Sequence, residues 1–160
     1  MSQPHTTRGR KACDLESLPA EERGQNGIAI NFTALVVDDN AHMLQLAAAM
    51  VKMLGYKIRT AKDGHEALFQ FQHSLCELVL TDFDMPAIDG YQLARWVKLR
   101  VPETRVVIMT GKGPDAVAAI MKDACIDGWL FKPFNMQELK TVLLRAGLPS
   151  GFDEGPCPVM

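Results

Sequence analysis

Between Thr33 and Gly147, short continuous apolar runs alternate five times with stretches whose apolar residues recur at helical spacing. That rhythm constrains the fold more than any other feature of the chain. A run such as Ala34-Leu35-Val36-Val37 has no polar face. A strand made from it must be covered on both sides, as in a parallel sheet. Further strands are expected at Lys57 to Ala61, Glu77 to Thr81, Arg105 to Thr110 and Trp129 to Phe131.

The intervening segments carry helix signals. Asn40 can cap the first by accepting a backbone N–H. Met43, Leu46, Ala47, Met50 and Leu54 repeat along it, and Gly55 supplies a left-handed stop. A second helix is expected from Gly64 to about Gln72, with Ala67, Leu68 and Phe71 inward. Asp89 caps a third that buries Leu93, Ala94, Val97 and Val101. A fourth runs from Pro114 to Ala124, proline being well suited to a first turn. The last runs from Asn135 to Ala146, with Leu139, Val142, Leu143 and Ala146 inward and Gly147 as its stop. Strict β–α alternation with short connections predicts a doubly wound α/β domain, five parallel strands with five helices on both faces. Right-handed crossovers are expected.

Composition bounds the rest. The 160 residues are 48% hydrophobic and 22% charged, enough for one domain with a substantial core and unlike a disordered chain. A formal net charge of −2 argues against a strongly basic nucleic-acid-binding or membrane-surface protein. No apolar run approaches the roughly 18 residues of a membrane span, and Met1 to Lys11 lack the hydrophobic stretch of a secretory signal. Cys13, Cys76, Cys125 and Cys157 are far apart and form no Cys-x-x-Cys pair. A reducing, cytoplasmic setting without membrane insertion is expected.

Residues 1–31 mix both charges with prolines and glycines and show no sustained period, apart from a possible short helix near Leu15 to Leu18. They are expected to form a weakly ordered leader to a domain at 32–148. Residues 149–160, with Pro149, Pro156 and Pro158, read as a C-terminal tail.

Polar groups gather where the apolar runs end. The first run is followed by Asp38-Asp39 and the third by Asp82. The fourth ends at Thr110, and the fifth leads into Lys132-Pro133. Ligands of such sheets sit at the carboxyl ends of the strands. Each residue alone has an ordinary reading as a cap, a turn or a solvated lysine. Together they place three carboxylates, a hydroxyl and an ammonium on one edge. At about 4 Å and an effective dielectric near 20, each pair of carboxylates repels by about 4 kcal/mol. A divalent cation with oxygen ligands offsets this, and Mg²⁺ suits a partly hydrated carboxylate site. A phosphoryl group needs metal, lysine and hydroxyl donors together. An aspartate so placed can act as a nucleophile toward phosphorus.

The segments Leu35-Val36-Val37-Asp38-Asp39-Asn40, Leu80-Thr81-Asp82-Phe83-Asp84-Met85-Pro86 through Asp89-Gly90, Ile108-Met109-Thr110-Gly111 and Trp129-Leu130-Phe131-Lys132-Pro133-Phe134 resemble the receiver domain of two-component response regulators. The likeness covers about Asn31 to Pro149, in the family's order and spacing. It implies a flavodoxin-like sheet with strand order 2-1-3-4-5. It also implies a phosphorylation-activated signalling switch, with Asp82 as phospho-acceptor. Asp39, Asp38, Asp82 and the backbone carbonyl of Asp84 would be metal ligands, with Mg²⁺ as cofactor. Lys132 would hold phosphoryl oxygens, and Pro133 would follow a cis peptide bond. Thr110 and Trp129 would be switch residues.

The implied partners are a sensor histidine kinase or histidine phosphotransfer protein, met mainly through the first helix, and a downstream protein or phosphorelay partner. After Gly147 only tail composition remains, so the output is expected to be a protein contact rather than direct DNA binding, in a stand-alone receiver that is not an enzyme beyond its own phosphorylation and dephosphorylation. Three details depart from the common pattern. Trp129 is larger than the usual switch aromatic, Gly111 and Gly113 flank Lys112, and Asp84 puts another carboxylate near the metal.

Two other readings compete. Asp82-Phe83-Asp84 also reads as the Asp-x-Asp of a haloacid-dehalogenase-like phosphatase, although Met85-Pro86 and the earlier Asp38-Asp39 do not suit one. A binding module using the same fold without phosphorylation is the third.

Overall fold

The computed structural model describes residues 31–150. The five strands are β1 (Thr33–Val37), β2 (Lys57–Ala61), β3 (Leu78–Asp82), β4 (Arg105–Thr110) and β5 (Gly128–Phe131). All pair in parallel, in the order β2-β1-β3-β4-β5. The helices are α1 (Ala41–Met53), α2 (Gly64–His73), α3 (Gly90–Arg100), α4 (Pro114–Val117) and α5 (Met136–Arg145).

Side chains alternate across the sheet and divide the core in two. Ala34, Val36, Leu78, Leu80, Val107 and Met109 face one side with Ala47 and Val51 of α1 and Leu139 and Leu143 of α5. Leu35, Val37, Val79, Val106 and Ile108 face the other with Ala67 and Phe71 of α2 and Leu93, Ala94 and Val97 of α3. This two-sided burial is why the central strands carry no polar face.

The helix ends follow side-chain chemistry. Asn40 accepts from the backbone N–H groups of His42 and Met43, and Asp63 from that of Glu66. Asp89 with Gln92, and Asn135 with Glu138, form reciprocal capping boxes. Gly55 and Gly147 adopt positive φ after α1 and α5. Chain packing continues past the expected domain end. Tyr56 Oη donates to the Pro149 carbonyl at 2.6 Å, and Ser150 is buried. The expected leader, apart from Asn31, and the tail beyond Ser150 lie outside the described residues, as do the suggested helix near Leu15 and two of the four cysteines. Cys76 and Cys125 are free thiols.

One helical expectation is corrected. The fourth helix ends at Val117 instead of Ala124. Most backbone bonds beyond it span three residues, as from Ile120 N to Val117 O and from Asp123 N to Ile120 O. Ala116, Ala118 and Ala119 are exposed and only Val117 is fully covered. Val117, Ile120, Met121 and Ala124 fall at helical spacing, but all except Val117 stay partly or fully exposed, too little burial to hold a long helix against the sheet. On α1, Leu46 lies at helical spacing yet is 52% exposed, while Ala47 and Val51 make the buried stripe.

Candidate functional site

Strand register brings the polar residues together. Val37 pairs with Thr81 across β1 and β3, so the next residue on each, Asp38 and Asp82, emerge side by side at the carboxyl edge. Asp82 is level with Met109 on β4, and Thr110 is level with Phe131 on β5. The Lys132 backbone N–H donates to the Thr110 carbonyl at 2.7 Å, which fixes where the following lysine leaves the sheet. The Lys132–Pro133 peptide bond is cis.

Asp38, Asp39 and Asp82 each offer a carboxylate oxygen within 4.8 Å of the other two. Asp38 is buried, Asp82 is nearly so, and Asp39 is exposed at the mouth. Lys132 Nζ donates to Asp38 Oδ2 at 3.0 Å and to Asp82 Oδ1 at 2.8 Å. Asp38 Oδ1 accepts the Asn40 backbone N–H at 2.9 Å. One residue thus caps α1 with its side chain and orients a site carboxylate with its main chain.

The electrostatics are those of an acidic pocket that holds a single ammonium. Burial pushes the Asp82 carboxyl above the ordinary carboxylate range. Lys132 pulls it back, and the charges of Asp38 and Asp39 add to the rise. Burial works against the Lys132 charge, yet its bonds to Asp82 and Asp38 outweigh that, so the ammonium is held more tightly than in an ordinary lysine. One ammonium against three carboxylates leaves excess negative charge. The donors are all oxygens, partly open to water, which fits a hard divalent cation.

Asp84 is placed differently. Its carboxylate turns away to pair with Lys112 Nζ at 2.9 Å and stands 56% exposed. It does not crowd the three converging carboxylates, so only its main-chain carbonyl is left as a candidate ligand. Thr110 is fully buried, and its Oγ1 accepts the Lys112 backbone N–H at 3.0 Å. Trp129 is half-buried with its ring 6.0 Å from that of Phe83. Its indole Nε1 is buried without a hydrogen-bond partner.

Gly90, part of the resemblance but given no role from sequence, is a supporting residue. A Cβ there would fall inside contact distance of the Asp82 carbonyl oxygen, and Gly90 N donates to the Phe83 carbonyl. Lack of a side chain lets α3 begin directly against the end of β3. Lys112 is another. Its position between two glycines after Thr110 was the available signal, but its partner on a different loop was not.

Residues 34–144 match the family model of the response regulator receiver domain. The chain belongs to this family. The receiver is 30% identical to a response regulator receiver domain protein from Clostridium thermocellum (TM-score 0.66, covering 72% of this chain and 93% of that one). It is 28% identical to the response regulator TrrA of Thermotoga maritima, solved in complex with Mg²⁺ and beryllofluoride (TM-score 0.65, covering 72% and 98%). Among curated proteins, it is 32% identical over 120 residues to a homolog of the transcriptional regulatory protein CpxR from Haemophilus influenzae (72% of this chain, 52% of that protein). It therefore spans about half the length of such relatives. The family assignment and the Asp38-Asp39 contribution to the cluster leave the phosphatase reading without support. No helix among the described residues is long and apolar enough to cross a membrane.

Proposed function

We infer that this receiver is a phosphorylation-activated switch of a two-component system, with Asp82 as its phospho-acceptor. The observation that carries this is the straddling of Asp38 and Asp82 by one ammonium, with Asp39 completing an oxygen cluster at the same strand edge. Lys132 occupies Oδ1 of Asp82 and leaves Oδ2 without a protein partner among the described residues. Oδ2 attacks the phosphorus of a phosphohistidine on a sensor kinase or histidine phosphotransfer protein. The P–N bond breaks, the imidazole nitrogen keeps the electron pair, and Asp82 becomes an acyl phosphate.

Asp38, Asp39, a carboxylate oxygen of Asp82 and the main-chain carbonyl of Asp84 would hold Mg²⁺. When bound, it offsets the carboxylate charge and the charge of the incoming phosphoryl oxygens. Lys132 stays protonated throughout, favoured by its two carboxylate bonds, and follows the negative charge onto the phosphoryl group. The product carries close to two negative charges on the phosphoryl group, where the free carboxylate carried one. Thr110, at the next strand end, turns its hydroxyl toward them. Trp129 and the surface made by α4, β5 and α5 shift toward a partner-binding arrangement.

The output is a protein contact or onward phosphotransfer in the cytoplasm. The test is mass measurement after exposure to acetyl phosphate and Mg²⁺. One phosphoryl adduct is expected, and it disappears in Asp82→Asn. An adduct that persists in that variant, or none in the wild type, overturns the assignment.

A further inference from the structure

The loop after β4 reads Thr110-Gly111-Lys112-Gly113. A Cβ added at either glycine would meet nothing within 4 Å, so this segment has little of its own to pack. Lys112 is nonetheless tied at three points. Its backbone N–H donates to Oγ1 of Thr110 at 3.0 Å. Its ammonium meets Asp84 Oδ1 at 2.9 Å and stands 4.9 Å from the centroid of the Phe83 ring. Phe83 in turn packs on Trp129. The β4–α4 loop is thereby fastened to the β3–α3 loop, beside the carboxylate cluster.

We propose that Lys112 is a latch that holds Thr110 and the Phe83–Trp129 pair in their unphosphorylated arrangement and must release for Thr110 to reach a phosphoryl group on Asp82. This rests on the Asp82 reading above. The Thr110 hydroxyl oxygen cannot both accept from Lys112 and swing to a new partner, so the loop bond and the switch exclude each other. The side-chain contacts are made in one state only, so they bias the equilibrium between the two. Both partners of the ion pair are about half exposed. Such a pair is weak and screened by salt, and the ring contact adds a comparably small amount. A latch of this strength lowers the population of the switched state without abolishing it.

Two variants separate the latch from the simple electric field of its charges. Lys112→Met removes a positive charge, and Asp84→Asn removes a negative one while keeping the main-chain carbonyl. Each breaks the same ion pair. The readout is the apparent affinity for beryllofluoride at saturating Mg²⁺, followed by tryptophan fluorescence and by the Thr110 methyl resonance. The latch requires both variants to bind about two- to fivefold more tightly than wild type at low ionic strength. The gap should close near about 0.5 M salt, where the pair is screened. A pure field effect moves the two in opposite directions, weaker for Lys112→Met and tighter for Asp84→Asn. That result, no change, or tightening in only one variant overturns the latch while leaving the Asp82 assignment intact. A wild type that gives no response to beryllofluoride removes the Asp82 assignment and the latch with it.

Discussion

Gly90 stands against the main-chain carbonyl of Asp82, with no room between them for a β-carbon. The first residue of α3 and the last residue of β3 are therefore packed backbone to backbone, and the position of the Asp82 carboxylate depends on a missing side chain. In Gly90→Ala the obstructing atoms are main chain and cannot rotate away. The gain in helix propensity is smaller than the strain of overpacking. A loss of about 1–3 kcal/mol is expected, measured as a lower urea midpoint at unchanged slope, together with slower labelling of Asp82 by acetyl phosphate.

Lys132 is the sole cation hydrogen-bonded to the acidic cluster among the described residues. Lys132→Met leaves the buried carboxylate of Asp38 and the nearly buried one of Asp82 facing each other. In metal-free buffer this should cost about 3 kcal/mol of stability. Saturating Mg²⁺ should recover part of that loss, because a divalent cation replaces some of the missing charge. Phosphorylation of the variant should fall by more than about tenfold even with Mg²⁺, since no side chain then follows the charge onto the phosphoryl oxygens.

Asp82 has a folded-state pKa above its unfolded value, because of burial first and its acidic neighbours after it. Below the unfolded value of about 3.9 both states hold the proton and the stability is fully present. As pH rises through the raised folded pKa, that stability is lost, because the native state binds the proton more tightly than the unfolded one. Asp82→Asn removes this dependence. In EDTA the variant should be more stable than wild type at pH 7, and the difference should shrink steadily as the pH approaches 4. Urea denaturation at several pH values checks the sign, and a wild type more stable than the variant at pH 7 contradicts it.

A ligand that binds only the folded site stabilises it by mass action, by about 2.7 kcal/mol at a hundredfold excess over Kd. Mg²⁺ should therefore raise the melting temperature, and EDTA should reverse the rise. Asp39 is exposed and carries no hydrogen bond to Lys132. Asp39→Asn should consequently leave metal-free stability within about 0.5 kcal/mol and weaken the Mg²⁺-induced shift strongly. Equal shifts in variant and wild type would place the metal elsewhere.

Much of this was legible locally. Ala34 to Val37 could only be a covered strand, Asn40, Asp89 and Asn135 could cap helices, and Gly55 and Gly147 could end them. These patterns depend on neighbours a few residues apart. The fourth helix was not legible, because Val117, Ile120, Met121 and Ala124 fall at helical spacing whether or not anything covers them. Burial decides that, and here the sheet does not supply it.

The order of polar residues at the strand ends was thus determined by the sequence itself, as was the kind of site they could form. Only the tertiary structure decided how they share their contacts. Parallel register puts Asp38 beside Asp82, and Lys132 then takes one oxygen from each. The same packing turns Asp84 outward to Lys112 and sets Gly90 under the Asp82 carbonyl. Distances between side chains on separate strands and loops depend on register, twist and the packing of whole helices. No local pattern encodes them, because the residues that meet are far apart in the chain and become neighbours only when the sheet closes.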